Sequence, residues 1–206
     1  MKFIFEYNQN QITLYGQLLE TIQQKITLSG DEAEQVKQFF NPKKLRKRQY
    51  ILNEGDICRN NVFVEKGLLR LFSVEENGYE QVVQFAAEGW WISDLNSFFS
   101  GEASVYNIEA LEDSKVLLLS RESMENMMIK LPKMERYFRL LMQNHIVALQ
   151  RRIIASLRYT AEEKYTRLME SIPTILSRVS QQHIASFLGM TPETLSRIRK
   201  QVSTHK

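Results

Sequence analysis

The chain has 206 residues, of which 43% are hydrophobic, and its formal net charge is only +3. It has no apolar run of about 18 residues and no signal-peptide core, so we expect no membrane span and predict a cytoplasmic protein. A single cysteine, Cys58, excludes a disulfide framework or a cysteine-ligated cluster within one chain. The charge is uneven, because residues 1–150 carry 17 Lys/Arg against 20 Asp/Glu and residues 151–206 carry 10 against 4.

The first forty residues are predicted to be helical. One apolar stripe is formed by Leu14, Leu18, Leu19 and Ile22, and Ser29 is placed to cap a second helix. The basic run at residues 43–48 is predicted to be a solvated loop that leads into a strand, with a polybasic binding patch as the alternative.

From residue 49 to about residue 120 the pattern changes. Short apolar runs are separated by turn signals roughly every 8–12 residues, which is typical of an all-β sandwich or barrel. Within this region Asn77-Gly78 predicts a hairpin with a two-residue loop. We then expect a short helix after Ser120 and a long helix from about Pro132 to Arg158.

The long helix carries two apolar stripes, one of which repeats every seven residues at Leu140, Val147 and Ile154. A helix that is apolar on two faces needs two partners. We therefore expect one face to lie on the β domain and the other to pair with a second copy of the chain, with burial inside one subunit as the alternative. The second stripe consists of Met142, Ile146, Leu149, Ile153 and Leu157.

Residues 179–200 are the most informative stretch, because they predict two helices joined by a tight turn. Ser180 is placed to cap the first helix, and Gly189 lies where the chain turns and a positive φ costs least. Thr191 is placed to cap the second helix, whose first position is occupied by Pro192.

The second helix of this pair has two distinct faces. Leu195 and Ile198 face the first helix, whereas Glu193, Arg197 and Lys200 form a line on the opposite side. A carboxylate accepts a hydrogen bond from the amino group of cytosine, and an arginine binds guanine with two hydrogen bonds, so this line predicts base reading in DNA. The alternative is a helical hairpin with a solvated charged face, and the basic excess of residues 151–206 favours DNA.

The order of these parts resembles the CRP/FNR superfamily of bacterial transcription regulators over nearly the whole chain. The motifs that carry the resemblance are EGD at residues 54–56, FVEKGLLR at residues 63–70, and the IA, LG and ETLSR segments within residues 184–197. The resemblance implies an α+β fold with three parts. These are an antiparallel, jelly-roll-like β-roll effector domain with N-terminal helices at residues 1–131, a long dimerisation helix at residues 132–158, and a helix–turn–helix DNA-binding domain at residues 159–206.

The resemblance also implies a function and partners. A homodimer would bind a palindromic double-stranded operator through successive major grooves about 34 Å apart, and RNA polymerase is a further candidate partner. Residues 49–120 contain no histidine, which argues against a cupin-like metal enzyme, so we expect no enzyme activity and no cofactor. Glu193 and Arg197 would read bases. The other predicted DNA contacts are Ser180, Gln181, Thr191, Thr194, Ser196 and Lys200.

Two departures from the family pattern bear on DNA binding. Pro192 stands where the family often has arginine, which predicts a missing guanine contact and a different half-site preference. Only residues 201–206 follow the second helix, so we expect no wing hairpin. These departures leave an alternative function open, namely a ligand sensor or interaction protein whose helix–turn–helix no longer binds DNA.

Family members that bind a cyclic nucleotide hold its ribose with a glutamate and its phosphate with an arginine. In the matching stretch Asp94 would replace the glutamate, while Ser104 and Val105 stand at the arginine position and the one after it. Without that cation we expect no control by cyclic AMP, and another small-molecule effector stays open. Trp91 and Tyr106 complete the predicted effector pocket, with the alternative that they fill the roll.

Overall fold

A computed structural model describes residues 14–204 of the chain, with side chains through residue 202. Two short helices come first, α1 (Gly16–Gln23) and α2 (Gly30–Lys37). Ser29 and Glu32 form the capping box of α2, which confirms the predicted start of that helix. Leu18 and Ile22 are buried as predicted, but Leu14 precedes α1 and is exposed, so its assignment to the apolar stripe is wrong.

Within residues 14–204, eight strands form two antiparallel sheets of four strands each. The strand order is β1-β8-β3-β6 in the first sheet and β2-β7-β4-β5 in the second. This arrangement confirms the predicted all-β region and the α+β class. The strands are β1 (Asn41–Leu45), β2 (Tyr50–Leu52), β3 (Asn60–Lys66), β4 (Leu69–Val74), β5 (Glu80–Ala86), β6 (Trp91–Ile92), β7 (Asn107–Ala110) and β8 (Ser114–Ser120).

Two predictions for the β region are wrong. The basic run at residues 43–48 is not all loop, because its first three residues belong to β1 and pair with β8. The buried side chain of Leu45 and this long-range pairing outweigh the poor strand propensity of the lysines. The β4–β5 hairpin has a three-residue loop, closed by the Glu75 N–H that donates to the Tyr79 carbonyl. Gly78 has positive φ and its neighbours do not, whereas a two-residue type I′ loop needs two such residues.

The helices that follow or interrupt the strands include all those predicted from the sequence, whereas the short helices α3 and α7 are not predicted. No helix among the described residues is long and apolar enough to span a membrane. The helices are α3 (Leu95–Ser100), α4 (Arg121–Lys130), α5 (Lys133–Arg158), α6 (Ala161–Ser171), α7 (Ile175–Arg178), α8 (Gln181–Leu188) and α9 (Pro192–Thr204).

The first part of the long helix α5 packs into the core of the roll through the buried side chains of Met134, Tyr137 and Phe138. The expectation that one whole apolar stripe lies on the β domain is wrong, since Val147 and Ile154 are 44% and 47% exposed. The physical reason is length, because a 26-residue helix extends about 39 Å. The helix therefore continues past the roll residues that its first turns contact.

Residues 14–204 form two hydrophobic cores, and the second crosses the predicted domain boundary. The first fills the roll and includes α1, α2, α4 and the start of α5. The second joins β4 and β5 to the C-terminal helices, where Phe72, Val82 and Phe85 of the roll cluster with Tyr165, Ile184 and other side chains. The C-terminal helices thus pack directly on one sheet of the roll.

Candidate nucleic-acid interface

The predicted caps and turn of the α8–α9 pair are confirmed. Ser180 caps α8, since its hydroxyl accepts a hydrogen bond from the His183 N–H at 3.3 Å. Gly189 ends α8 at a φ of +67°, in the left-handed region that glycine adopts at little cost. Thr191 accepts from the Thr194 N–H at 3.3 Å at the start of α9. Local hydrogen bonds therefore fix both helix starts and the turn between them.

Helix α9 divides into a packed face and a solvent face. Leu195 and Ile198 are buried, whereas Glu193, Arg197 and Lys200 are exposed, as predicted. A shallow surface depression of about 500 Å³ runs along the exposed face. It is lined by Pro192, Glu193, Ser196, Arg197 and Lys200.

The carboxyl group of Glu193 is well suited to accept hydrogen bonds. Its own backbone N–H and then the Thr191 hydroxyl lower the pKa of Glu193, so the side chain is ionised at neutral pH. Of the other predicted contacts, Ser180, Gln181 and Thr191 are exposed at the starts of α8 and α9. N–H groups at helix starts favour anions such as DNA phosphates. Thr194 and Ser196 are half-buried on α9.

Helix α8 is held on the edge strand β5 by a serine that the sequence analysis did not single out. The hydroxyl of Ser186, which is 1% exposed, donates to the Glu80 carbonyl at 2.6 Å and accepts from the Val82 N–H at 2.8 Å. The Gln81 side chain donates to the Ser186 carbonyl at 2.8 Å. Because β5 is at the edge of its sheet, the backbone groups on the side away from β4 have no strand partner, and these bonds satisfy them.

Charged groups also join the roll to the C-terminal helices. Arg178 at the end of α7 binds Glu88 and Glu112 of the roll, with shortest distances of 3.0 and 2.7 Å. Nearby, the His183 Nε2 lies 3.6 Å from the Glu80 carboxylate. Burial and then the charge of Arg70 lower the pKa of His183. These contacts join residues far apart in the chain, so no local sequence signal predicts them.

The predicted effector residues do not form a single open pocket. Asp94 and Ser104 are buried and bonded to each other at 2.8 Å, and Ser104 also bonds the backbone of Tyr106. Val105 is 61% exposed. Trp91 lies in the aromatic core among Phe40, Phe63 and Phe138, where its indole N–H donates to the Tyr137 hydroxyl.

A separate cavity of about 290 Å³ lies between β2 and β3 and is lined by none of the five predicted effector residues. Cys58, one of its lining residues, is 4% exposed. Burial raises the pKa of its thiol, which keeps the group in the unreactive protonated form. This environment is that of a buried structural cysteine.

The distal part of α5 presents the apolar stripe that the sequence predicts for self-association. Ile146, Leu149, Ile153 and Leu157 are 56%, 46%, 59% and 79% exposed, and Met142 is partly buried. An exposed apolar stripe of this length on one helix is characteristic of an interaction surface.

A β-roll, a long connecting helix and a C-terminal helix pair with a charged outer face define the class of DNA-binding regulators with a sensor-type roll. The family described as "Cyclic nucleotide-binding domain" matches residues 42–130. The fumarate and nitrate reduction regulatory protein of Vibrio cholerae is 27% identical over 186 residues, which cover 84% of this chain and 73% of that protein. Regulatory protein HlyX of Actinobacillus pleuropneumoniae is 27% identical over 186 residues, covering 84% and 76%.

A solved structure shows the same fold. FixK2 from Bradyrhizobium japonicum aligns with a TM-score of 0.68 at 23% identity, covering 81% of this chain and 85% of that one. The chain is thus similar to transcription regulators of the CRP/FNR superfamily in sequence and similar to FixK2 in fold, as the resemblance in its sequence motifs predicts.

Proposed function

We propose that this protein is a transcription regulator that acts in the cytoplasm as a homodimer and binds a palindromic operator, with α9 of each subunit in the major groove. The observation that carries the proposal is the exposed line of Glu193, Arg197 and Lys200 on a helix whose other face is packed. Glu193 accepts from cytosine and Arg197 donates to guanine. Ser180, Gln181 and the remaining predicted polar residues of α9 contact phosphates or make secondary contacts.

Dimerisation through α5 is supported by its exposed stripe. Full burial of each isoleucine or leucine contributes about 1.5–3 kcal/mol, so four such side chains supply a substantial driving force for pairing. The stripe repeats at intervals of three and four residues, as in helices that pair along their length. A dimer of this kind also presents two copies of α9, as a palindrome requires.

Light scattering at micromolar concentration tests the dimer. Ile153→Asp places a charge in the stripe and should give a folded monomer. Asn144→Asp introduces the same group at an exposed position of α5 outside the stripe and should remain a dimer. A wild-type protein that is a stable monomer would contradict this part of the proposal.

We further propose that cyclic AMP does not control the protein. The Asp94–Ser104 pair supports this, because a cyclic phosphate at this position would meet a buried carboxyl group and no arginine. Titration calorimetry with cyclic AMP should show no saturable heat, and tight saturable binding would overturn the proposal. Another effector and a contact with RNA polymerase remain predictions.

DNA recognition is tested by gel shift on fragments of the source genome at low salt with excess competitor DNA. The wild-type protein should retard a subset of fragments. Arg197→Ala removes one bidentate base contact from each of the two subunits, so it should weaken binding by about 2–6 kcal/mol, or roughly 30- to 25,000-fold. Arg121→Ala removes the same charge from exposed α4 and should change little. If the competitor DNA abolishes the shift of every fragment, the alternative of a sensor or interaction protein with a degenerate helix–turn–helix is favoured.

A further inference from the structure

The cavity between β2 and β3, here called the β2–β3 cavity, has no role in the function proposed so far. Its volume is about 290 Å³. Sites for drug-sized ligands usually measure about 300–1,000 Å³, so this cavity is at the small end of the range. One water molecule takes up about 30 Å³ of the liquid, and the space therefore suits a ligand of roughly ten non-hydrogen atoms.

The inner wall of the β2–β3 cavity is aliphatic. Leu52, Val62 and Ile108 are 6%, 2% and 1% exposed, and the half-buried Ile51 also lines this wall. None of the lining residues within residues 14–204 is aromatic. A wall of this kind favours a branched aliphatic group and offers no stacking partner for a planar ring.

The mouth of the cavity carries two opposite charges that do not pair with each other. Asp56 and Arg59 both line the cavity and are both exposed. Within residues 14–204 the Arg59 guanidinium has no ion-pair or hydrogen-bond partner. The Asp56 carboxylate accepts one bond there, from the side-chain amide of Asn53 at 3.1 Å. A carboxylate and a guanidinium at one opening are thus both able to bind a ligand.

The loop that carries these two charges is fixed to the segment between α3 and β7. Ser104 bonds it twice, because its carbonyl accepts from the Gly55 N–H and its own N–H donates to the Asp56 carbonyl, both at 2.8 Å. The Cys58 N–H donates to the Ser97 hydroxyl at 2.9 Å. A backbone that is already fixed loses little freedom when a ligand binds, which favours affinity.

We propose that the β2–β3 cavity binds a free α-amino acid with a branched aliphatic side chain, such as leucine. The side chain fills the aliphatic interior, Arg59 donates to the carboxylate and Asp56 accepts from the ammonium group. The two charges select a zwitterion, because a simple anion would meet Asp56 and a simple cation would meet Arg59. The site goes beyond the proposed DNA recognition and does not depend on it.

Titration calorimetry of the full chain without DNA compares three probes that share one aliphatic group. These are L-leucine, isocaproate, which lacks the ammonium group, and isoamylamine, which lacks the carboxylate. The wild-type protein should bind L-leucine saturably and about 5- to 10-fold more tightly than either analogue, since each lost contact is a partly exposed charge-assisted hydrogen bond.

Two variants assign the two contacts. Arg59→Gln should lower the affinity for L-leucine by about 5- to 10-fold and remove its advantage over isoamylamine. Asp56→Asn should lower it by a similar factor and remove its advantage over isocaproate. Arg139→Gln and Asp31→Asn are the matched controls, because they neutralise exposed charges on α5 and α2, and they should bind L-leucine like the wild-type protein.

Nuclear magnetic resonance of labelled isoleucine methyl groups locates the bound ligand. The signals of Ile51, Ile57 and Ile108 should shift as L-leucine is added, because these residues line the cavity. Ile92, beside Trp91 of the predicted effector pocket, and Ile153 on α5 should not shift.

Three results would overturn the inference. They are the absence of saturable L-leucine binding by the wild-type protein, equal affinity for L-leucine and its two analogues, and methyl shifts at Ile92 instead of the cavity isoleucines. Since no DNA is present in these experiments, such a failure leaves the proposed function standing. Failure of the gel shift would conversely leave this site standing, so the two failures are distinguishable.

Discussion

Ser186→Ala is expected to destabilise the protein far more than the loss of one exposed hydroxyl group would. The substitution removes both hydrogen bonds of the hydroxyl and leaves the Glu80 carbonyl and the Val82 N–H without partners. Each buried polar group left unsatisfied costs about 1–3 kcal/mol, so two such groups should lower the free energy of unfolding by about 2–6 kcal/mol. The effect arises at the contact between α8 and β5, on the side of the helix pair away from the exposed charged face of α9.

Urea unfolding measured by tryptophan fluorescence and far-UV circular dichroism provides the assay. Ser177→Ala is the matched control, since that hydroxyl is exposed and donates only to the Thr174 carbonyl, at 2.8 Å. The control should change the free energy of unfolding by less than about 0.5 kcal/mol. Because the roll and the C-terminal helices share a core, both probes should report one transition in the wild-type protein.

Two results would refute this reasoning. If Ser186→Ala lowers the free energy of unfolding no more than Ser177→Ala does, the hydrogen bonds between α8 and β5 do not contribute to stability in solution. If fluorescence and circular dichroism give separate transitions for the wild-type protein, the roll and the C-terminal helices do not share a cooperative core.

Three further predictions follow from the same region. Gly189→Ala should lower the free energy of unfolding by about 1–2 kcal/mol, because alanine is strained at a positive φ. A Cβ at this position meets no other atom, so the backbone is the source of the cost, and Gly189→Asn should cost less. A cost equal for alanine and asparagine would contradict a backbone origin. The lowered pKa of His183 means that the unfolded chain takes up a proton near pH 6.5 while the folded chain does not, so stability should fall as the pH drops below about 6.5. His183→Gln should remove that part of the pH dependence, and an unchanged profile would show that His183 does not cause it. Arg178→Met should lower the stability by about 1–3 kcal/mol at low salt, because it leaves two glutamates of the roll unpaired, and a loss that is the same in 1 M salt would argue against an electrostatic origin.

The α8–α9 helix pair was predictable because its signals are local. Ser180, Gly189 and Thr191 each act on residues within a few positions of themselves, and a cap or a positive φ has a recognisable residue preference. The alternation of buried and exposed residues on α9 likewise follows from helical periodicity. The same holds for Ser29 at the start of α2.

The contacts that fix one part of the chain against another were not predictable in this way. The buried carboxylate of Glu65 accepts from the N–H groups of Gln17 and Leu18 at the start of α1, and these residues are 48 and 47 positions away. Ser186 bonds a strand more than a hundred residues earlier. Such pairs depend on the assembled fold, and no local pattern in a single sequence predicts them.

The effector region shows the same limit at shorter range. Asp94 and Ser104 were correctly placed near each other through the family pattern, but their mutual hydrogen bond depends on the turn after α3. Trp91 was grouped with them by proximity in sequence and by its aromatic character. Its ring packs instead against Phe40, Phe63 and Phe138 in the core of the roll, and these partners are far from it in the sequence.

Selection of bound duplexes from a random DNA pool, with purified protein and no added ligand, tests the central claim most directly. The account predicts a palindromic consensus with half-sites about one helical turn apart, and relaxed preference at one base position in each half-site when Arg197→Ala is selected in parallel. A pool with no enrichment, or a consensus that Arg197→Ala leaves unchanged, would contradict base reading by α9.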